Sequence, residues 1–212
     1  MKIEDKKYLL FDNDGVLVET EVWYYEASKR TLKEFFDVDV SFEQYMKLMT
    51  DGKGVWVDVK ASKEEITIAR DQRDVYYQEY LKNEDLAIKN VHEVLKELSK
   101  KYKMGIVTTS RRVDFDIIHT GRGITDFMDF VLCVEDYPRS KPYPDPYLAG
   151  LELFGAKKEE TLVIEDSRRG LLSANRADIE CVIIHNEFTK TQDFSSAIKK
   201  VDELKGLLEL LK

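Results

Sequence analysis

The chain has 212 residues, 43% of them hydrophobic, and a formal net charge of −8 from 33 basic and 41 acidic side chains. That length buries one good core and leaves room for a smaller second lobe. The acidic balance argues against a general nucleic-acid binder and against attachment to an anionic membrane, and it requires any anionic substrate to be held by local cations, helix N-termini or a metal. No apolar stretch reaches the length of a membrane span. The opening Met1-Lys2-Ile3-Glu4-Asp5-Lys6-Lys7 lacks the apolar core of a signal peptide, so a cytoplasmic location is expected. Cys133 and Cys181 both sit in apolar runs and read as reduced core residues rather than a disulfide.

The first element is a short apolar run, Tyr8 to Phe11, which predicts a buried strand. It ends in Asp12-Asn13-Asp14-Gly15. Gly15 lets the chain turn without a Cβ penalty. A packed core does not select two near-adjacent anions, so this strand end reads as a reactive centre. A calcium loop of the helix–loop–helix kind is excluded because Val16 and Val18 occupy ligand-type positions.

From residue 20 to residue 84 only helical patterning is expected. Val22, Trp23, Ala27, Leu32, Phe35 and Phe36 are assigned to a core-facing stripe there. Ser41 with Gln44, and Ser62 with Glu65, predict two capping boxes. Asp51-Gly52-Lys53-Gly54 predicts a flexible break. Tyr76, Tyr77 and Tyr80 recur at helical spacing and read as packing residues.

Asn90 with Glu93 predicts a capped helix with the stripe Val91, Val94, Leu95 and Leu98. Strands are expected at 104–108, 130–134, 161–164 and 181–185. Helices are expected at 146–154 (stopped by Gly155), at 168–177 and at 195–211. The last would present Leu204, Leu207, Leu208 and Leu211 on one face. Continuous apolar strands alternating with helices predict an α/β fold, a doubly wound parallel sheet of Rossmann-like kind. The expected domains are a core of residues 1–19 and 85–212 and an inserted all-helical cap of residues 20–84. A monomer is expected, with a dimer through the C-terminal leucines as the alternative. His92 and His119 read as surface residues, and His185 has no partner at metal-ligand spacing.

Ligands of such sheets bind beyond the carboxyl ends of the strands, which directs attention to three further stretches. Thr108-Thr109-Ser110 offers hydroxyls and amides to an anion, although a plain hydroxyl cap would look alike. Glu165-Asp166-Ser167 brings two more carboxylates, although acids also favour helix N-termini for their own sake. Arg139-Ser140-Lys141-Pro142-Tyr143-Pro144-Asp145-Pro146 is a proline-stiffened loop that fixes where Lys141 points. Arg111 and Arg112 read as a solvated helix start.

This ordered set of four motifs resembles the haloacid dehalogenase superfamily, in its helical-cap branch of phosphatases and β-phosphoglucomutases, from about Tyr8 to His185. The resemblance implies a magnesium-dependent phosphatase acting on a small phosphorylated metabolite through an aspartyl-phosphate, with neither nucleic acid nor membrane as partner. It implies Asp12 as the nucleophile and Asp14 as the general acid/base. It assigns the phosphoryl group to the Thr108 hydroxyl, the Thr109 amide and Lys141. Magnesium falls to Asp12, the Asp14 carbonyl and Asp166, with Glu165 binding directly or through water. The acid at position 14 favours phosphate-ester chemistry, because dehalogenases of the superfamily lack it. Like-charge crowding is expected to raise the pKa of one carboxylate, assigned to Asp14.

Glu165-Asp166-Ser167-Arg168-Arg169-Gly170 is similar to the β-phosphoglucomutase pattern, so a sugar phosphomutase is the alternative and a non-catalytic binding protein of the same fold a remote one. Where the mutases carry a cap histidine this chain has Tyr24, and around Gly52 and Lys53 it has no arginine. Tyr24, Gly52 and Lys53 are the cap candidates for substrate contact.

Overall fold

Strand β1 (Tyr8–Phe11) is one of the two central strands of a six-stranded parallel sheet in a computed structural model that describes residues 3–50 and 53–212. The other strands are β2 (Lys103–Val107), β3 (Phe130–Leu132), β4 (Thr161–Glu165), β5 (Glu180–Ile184) and β6 (Lys199–Val201). Their order is β3-β2-β1-β4-β5-β6, so the chain reverses its direction of travel across the sheet between β1 and β4. Leu9, Leu10 and Phe11 are fully buried, as are Leu162, Val163 and Ile164; strands covered on both faces need such unbroken apolar runs. The register sets Phe11 beside Ile106 and Ile164. The residues that follow them therefore leave the sheet along one edge, at the switch point where ligands of open α/β sheets bind.

The described helices are α1 (Glu21–Phe36), α2 (Phe42–Thr50), α3 (Lys63–Asn83), α4 (Val91–Leu98), α5 (Arg112–His119), α6 (Asp145–Phe154), α7 (Arg168–Arg176) and α8 (Gly206–Leu210). Among the described residues none is long and apolar enough to cross a membrane. Helices α6 and α7 supply Tyr147, Leu151, Leu171 and Ala174 to a cluster that includes Leu10, Val107, Val163, Cys181 and Ile183. Gly150 permits the close approach of α6 to β1, because a Cβ there would lie 2.9 Å from Leu10. Cys133 and Cys181 are free and buried.

The chain divides into two compact units, Met1–Glu19 with Ala87–Lys212, and Thr20–Leu86. The second unit contains α1 to α3. Tyr25, Leu32, Val40, Tyr45 and Val55 form its apolar centre. Its helix starts follow the sequence. Ser62 and Glu65 form a reciprocal capping box, and Ser41 with Gln44 does the same at 3.2 and 2.9 Å. Of the expected stripe, Ala27 and Leu32 are buried and Phe35 is exposed.

Three expectations are corrected. Asn90 precedes α4 but takes a left-handed conformation with φ 64° and makes no side-chain cap. The helix expected at 195–211 is instead the edge strand β6 followed by the short α8, with Leu204, Leu207 and Leu211 buried against the core unit. His119 is buried rather than on the surface. Lys6 is also buried, its ammonium spent on the Glu159 and Thr161 carbonyls and on Glu180 at 2.8, 2.9 and 2.6 Å.

Candidate active site

The carboxyl ends of β1, β2 and β4 gather the acids, the hydroxyls and the lysine. Asp12 leaves β1 with its amide donating to the Ile164 carbonyl at 2.8 Å. Lys141 reaches the same place from the loop before α6. Its Nζ lies 2.9 Å from Asp12 Oδ1, 2.8 Å from Glu165 Oε1 and 2.9 Å from the Val107 carbonyl, so all three ammonium protons have acceptors. Burial alone would push the Lys141 pKa down; the charges of Asp12 and Glu165 outweigh it and hold the ammonium above its usual value. For Glu165 burial pulls upward, but the Lys141 charge and its hydrogen bonds win and the carboxyl lies below its usual value. The carboxyl that crowding pushes up is Asp12. Burial first, and then the Glu165 charge, bring it to about 7 against the pull of Lys141.

Asp14 lies beside the hydroxyl motif. Its Oδ2 accepts from Ser110 Oγ at 2.8 Å and from Thr108 Oγ1 at 3.2 Å. Thr108 is fully buried, and its carbonyl accepts the Tyr137 hydroxyl at 2.6 Å. Thr109 Oγ1 accepts from Arg169 Nη2 at 3.2 Å. Asp12, Glu165 and Asp166 are all buried, with ligand-type oxygens within 4.8 Å of one another.

Residues 9–184 match the haloacid dehalogenase-like hydrolase family. The chain belongs to that family. It is 28% identical to pyrophosphatase PpaX of Bacillus mycoides over 210 residues, which is 96% of this chain and 95% of the relative. Among solved structures it is similar to CbbY of Rhodobacter sphaeroides in complex with phosphate, with a TM-score of 0.84, 19% identity, and coverage of 97% of this chain and 99% of that one. It is also similar to a predicted phosphoglycolate phosphatase of Haemophilus somnus, with a TM-score of 0.87, 22% identity, and coverage of 98% and 99%. The fold of these hydrolases is the one described above. The expected class, a phosphatase enzyme of this family, stands.

Two glycines make room for the acids. Gly15 has φ 76°, and a Cβ on it would lie 2.1 Å from Asp166 Oδ2; the turn after the aspartates is cut away to admit that carboxylate. A Cβ on Gly170 would lie 1.6 Å from Glu165 Oε1, so Glu165 occupies the space a side chain on α7 would fill. The acids thus meet in a cradle shaped for them. Crowded carboxylates of this type suit a hard divalent cation, which takes carboxylate oxygens and favours their charged forms. The cluster therefore fits a metal.

Glu165 already accepts five hydrogen bonds. Lys141 and the Tyr147 hydroxyl donate to Oε1, and the amides of Asp166 and Ser167 with the Ser167 hydroxyl donate to Oε2. Its first task in this geometry is to hold Lys141.

The sequence carries no motif signal for Tyr137 or Tyr147, and it offers Ser110 to an anion, whereas the Ser110 hydroxyl is bonded to Asp14. Of the cap candidates, Tyr24 sits on α1 within the helical unit. Its hydroxyl accepts from Arg73, whose guanidinium lies 4.4 Å from the ring centroid. The Tyr77 ring meets Tyr24 edge-on at 5.2 Å. Lys53 is exposed, and Gly52 lies outside the described residues. Arg111 pairs with Asp114 at 2.7 Å and Arg112 bonds Asp136 at 2.5 Å, so the arginines after the hydroxyl motif are engaged with local acids.

Proposed function

We propose that the protein is a magnesium-dependent phosphatase that hydrolyses a small phosphorylated metabolite through an aspartyl-phosphate on Asp12. The observation that carries this reading is the convergence of Asp12, Asp14, Thr108 and Lys141 at one sheet edge. Asp12 Oδ is the attacking oxygen, and the bond formed is from that oxygen to phosphorus as the bond to the leaving oxygen breaks. Asp14 supplies the proton to the leaving oxygen and later takes one from the water that cleaves the acyl phosphate, a role that typically contributes ~10²–10⁴-fold. The Ser110 and Thr108 hydroxyls orient it. Lys141 holds Asp12 in place and offsets the negative charge of an incoming phosphoryl group, and the Thr109 amide is a further donor to that group. Asp12, Asp166 and the Asp14 carbonyl would hold magnesium, with Glu165 supporting it directly or through water, and the ion when bound neutralises charge that otherwise repels the phosphate.

Inorganic pyrophosphate is a second substrate reading, because the PpaX relatives named as pyrophosphatases align over 96% of this chain. One experiment tests both. Wild type and Asp12→Asn are assayed on a panel of phosphomonoesters plus pyrophosphate, with magnesium and with chelator. Phosphate release by wild type alone, dependent on magnesium, is expected; equal release by Asp12→Asn would sink the nucleophile assignment. Glucose 1-phosphate with its bisphosphate activator belongs in the panel, since isomer formed without free phosphate would mark the mutase instead.

A further inference from the structure

Between the two aspartates lies Asn13, a fully buried polar residue that the proposed chemistry does not use. Its Oδ1 is 2.7 Å from Nε2 of His119, the last residue of α5. Its carbonyl accepts the amides of Val16, Leu17 and Val18 at 3.3, 2.8 and 3.2 Å, so the whole turn after Asp14 hangs on residue 13. Val16, Leu17, Val18 and Ile118 are each fully buried. An apolar pair would pack in such surroundings without desolvation cost, whereas a buried amide and imidazole are costly unless they bond each other.

The two side chains depend on this one bond. Asn13 Nδ2 and His119 Nδ1 are both buried with no hydrogen-bond partner among the described residues. With Oδ1 as acceptor, the His119 proton must sit on Nε2. The ring is itself fixed, because Phe115 packs on it at 4.2 Å between centroids. Burial, opposed by the Asp14 charge and aided by Arg122, pushes the His119 pKa down to about 4, so the ring is neutral at neutral pH and only one of its nitrogens carries a proton.

We propose that His119 is a positioning residue: its Nε2–H grips the Asn13 side chain and thereby fixes the direction in which Asp12 and Asp14 leave β1. This rests on the reading that those two aspartates carry the chemistry. Misplacing reacting groups by about an ångström costs up to ~10²-fold in rate, and a turn held through one side chain is open to that error.

The test is a double-mutant cycle in kcat and KM with magnesium present, using His119→Leu, Asn13→Leu and the double variant, with His119→Gln as the conservative replacement that keeps an N–H donor. Each leucine variant is expected to lose ~10–100-fold in kcat with KM little changed, the double to lose no more than the worse single, and His119→Gln to recover most of the rate. Unchanged kcat in His119→Leu, additive losses in the double variant, or a glutamine variant no better than the leucine one would each overturn the proposal. Nitrogen-15 spectra of the wild-type ring give a readout independent of turnover. An Nε2–H tautomer that stays neutral down to pH 5.5 is expected, and an Nδ1–H tautomer overturns the pair. An inactive wild type with the expected ring spectrum would count against the phosphatase reading and leave the hydrogen bond standing.

Discussion

Lys141 and Glu165 form an ion pair at 2.8 Å with the lysine side chain 2% exposed and the glutamate side chain fully buried. Their charges support one another only while both are present. Lys141→Met strands Asp12 and Glu165 as two buried carboxylates, and breaking a buried pair from one side typically costs about 3–5 kcal/mol. A urea-unfolding midpoint at pH 7 should fall accordingly, and Lys141→Met with Glu165→Gln should cost less than the sum of the single changes. An unchanged midpoint in Lys141→Met would show that the pair is not closed in solution.

Gly15 and Gly121 both have positive φ, 76° and 70°, but a Cβ at Gly121 meets nothing within 4 Å while one at Gly15 meets Asp166 at 2.1 Å. Alanine at either site carries the same backbone penalty. Gly121→Ala is therefore expected to lose stability alone. Gly15→Ala should in addition displace Asp166 and weaken magnesium binding, measured by calorimetric titration of the purified protein. Equal magnesium affinity in the two variants would detach Gly15 from the acidic cluster.

His119 has its folded pKa at about 4 and an ordinary unfolded value near 6.5. Between those values the unfolded chain binds the extra proton, so stability rises with pH across that window and is lost as pH falls from about 6.5 towards 4. The scale is about 1.4 kcal/mol per pH unit. Asp12, raised to about 7, tilts the other way, since there the folded chain binds the extra proton. The difference between wild type and His119→Gln isolates the histidine. Unfolding free energies taken from pH 7.5 to 4.5 should show wild type losing ground to the variant as the solution is acidified; parallel curves would mean a ring that titrates normally.

Local motifs made the reactive edge readable. Asp12 and Asp14, Thr108, Lys141, and Glu165 with Asp166 each sit at the end of a strand or in a stiff loop, where a short sequence fixes the direction of the side chain. Tyr147 and Tyr137 were silent because their value lies in partners 18 and 29 residues away, a separation no periodicity encodes. Edge strand β6 was hidden by its own protection: Lys199-Lys200-Val201 is polar, as an exposed edge requires, and the leucines beyond it invited a longer helix. His119 looked like a polar residue at a helix end because its acceptor, Asn13, belongs to a motif 106 residues earlier.

Ser110 separates the orientation of Asp14 from its identity. Its hydroxyl lies 2.8 Å from Asp14 Oδ2, nearer than Thr108 at 3.2 Å, and its amide donates to Thr108 Oγ1 at 3.0 Å. A hydrogen bond to a charged group contributes about 1.5–3 kcal/mol. If that preference is expressed in the transition state, Ser110→Ala loses ~10–100-fold in kcat. Asp14→Asn keeps the shape but cannot move the proton, so it should fall further, and adding Ser110→Ala to it should then cost almost nothing. The measurement is kcat for the four proteins on one substrate at saturating magnesium. Independent, multiplicative losses would assign Ser110 to the substrate rather than to Asp14.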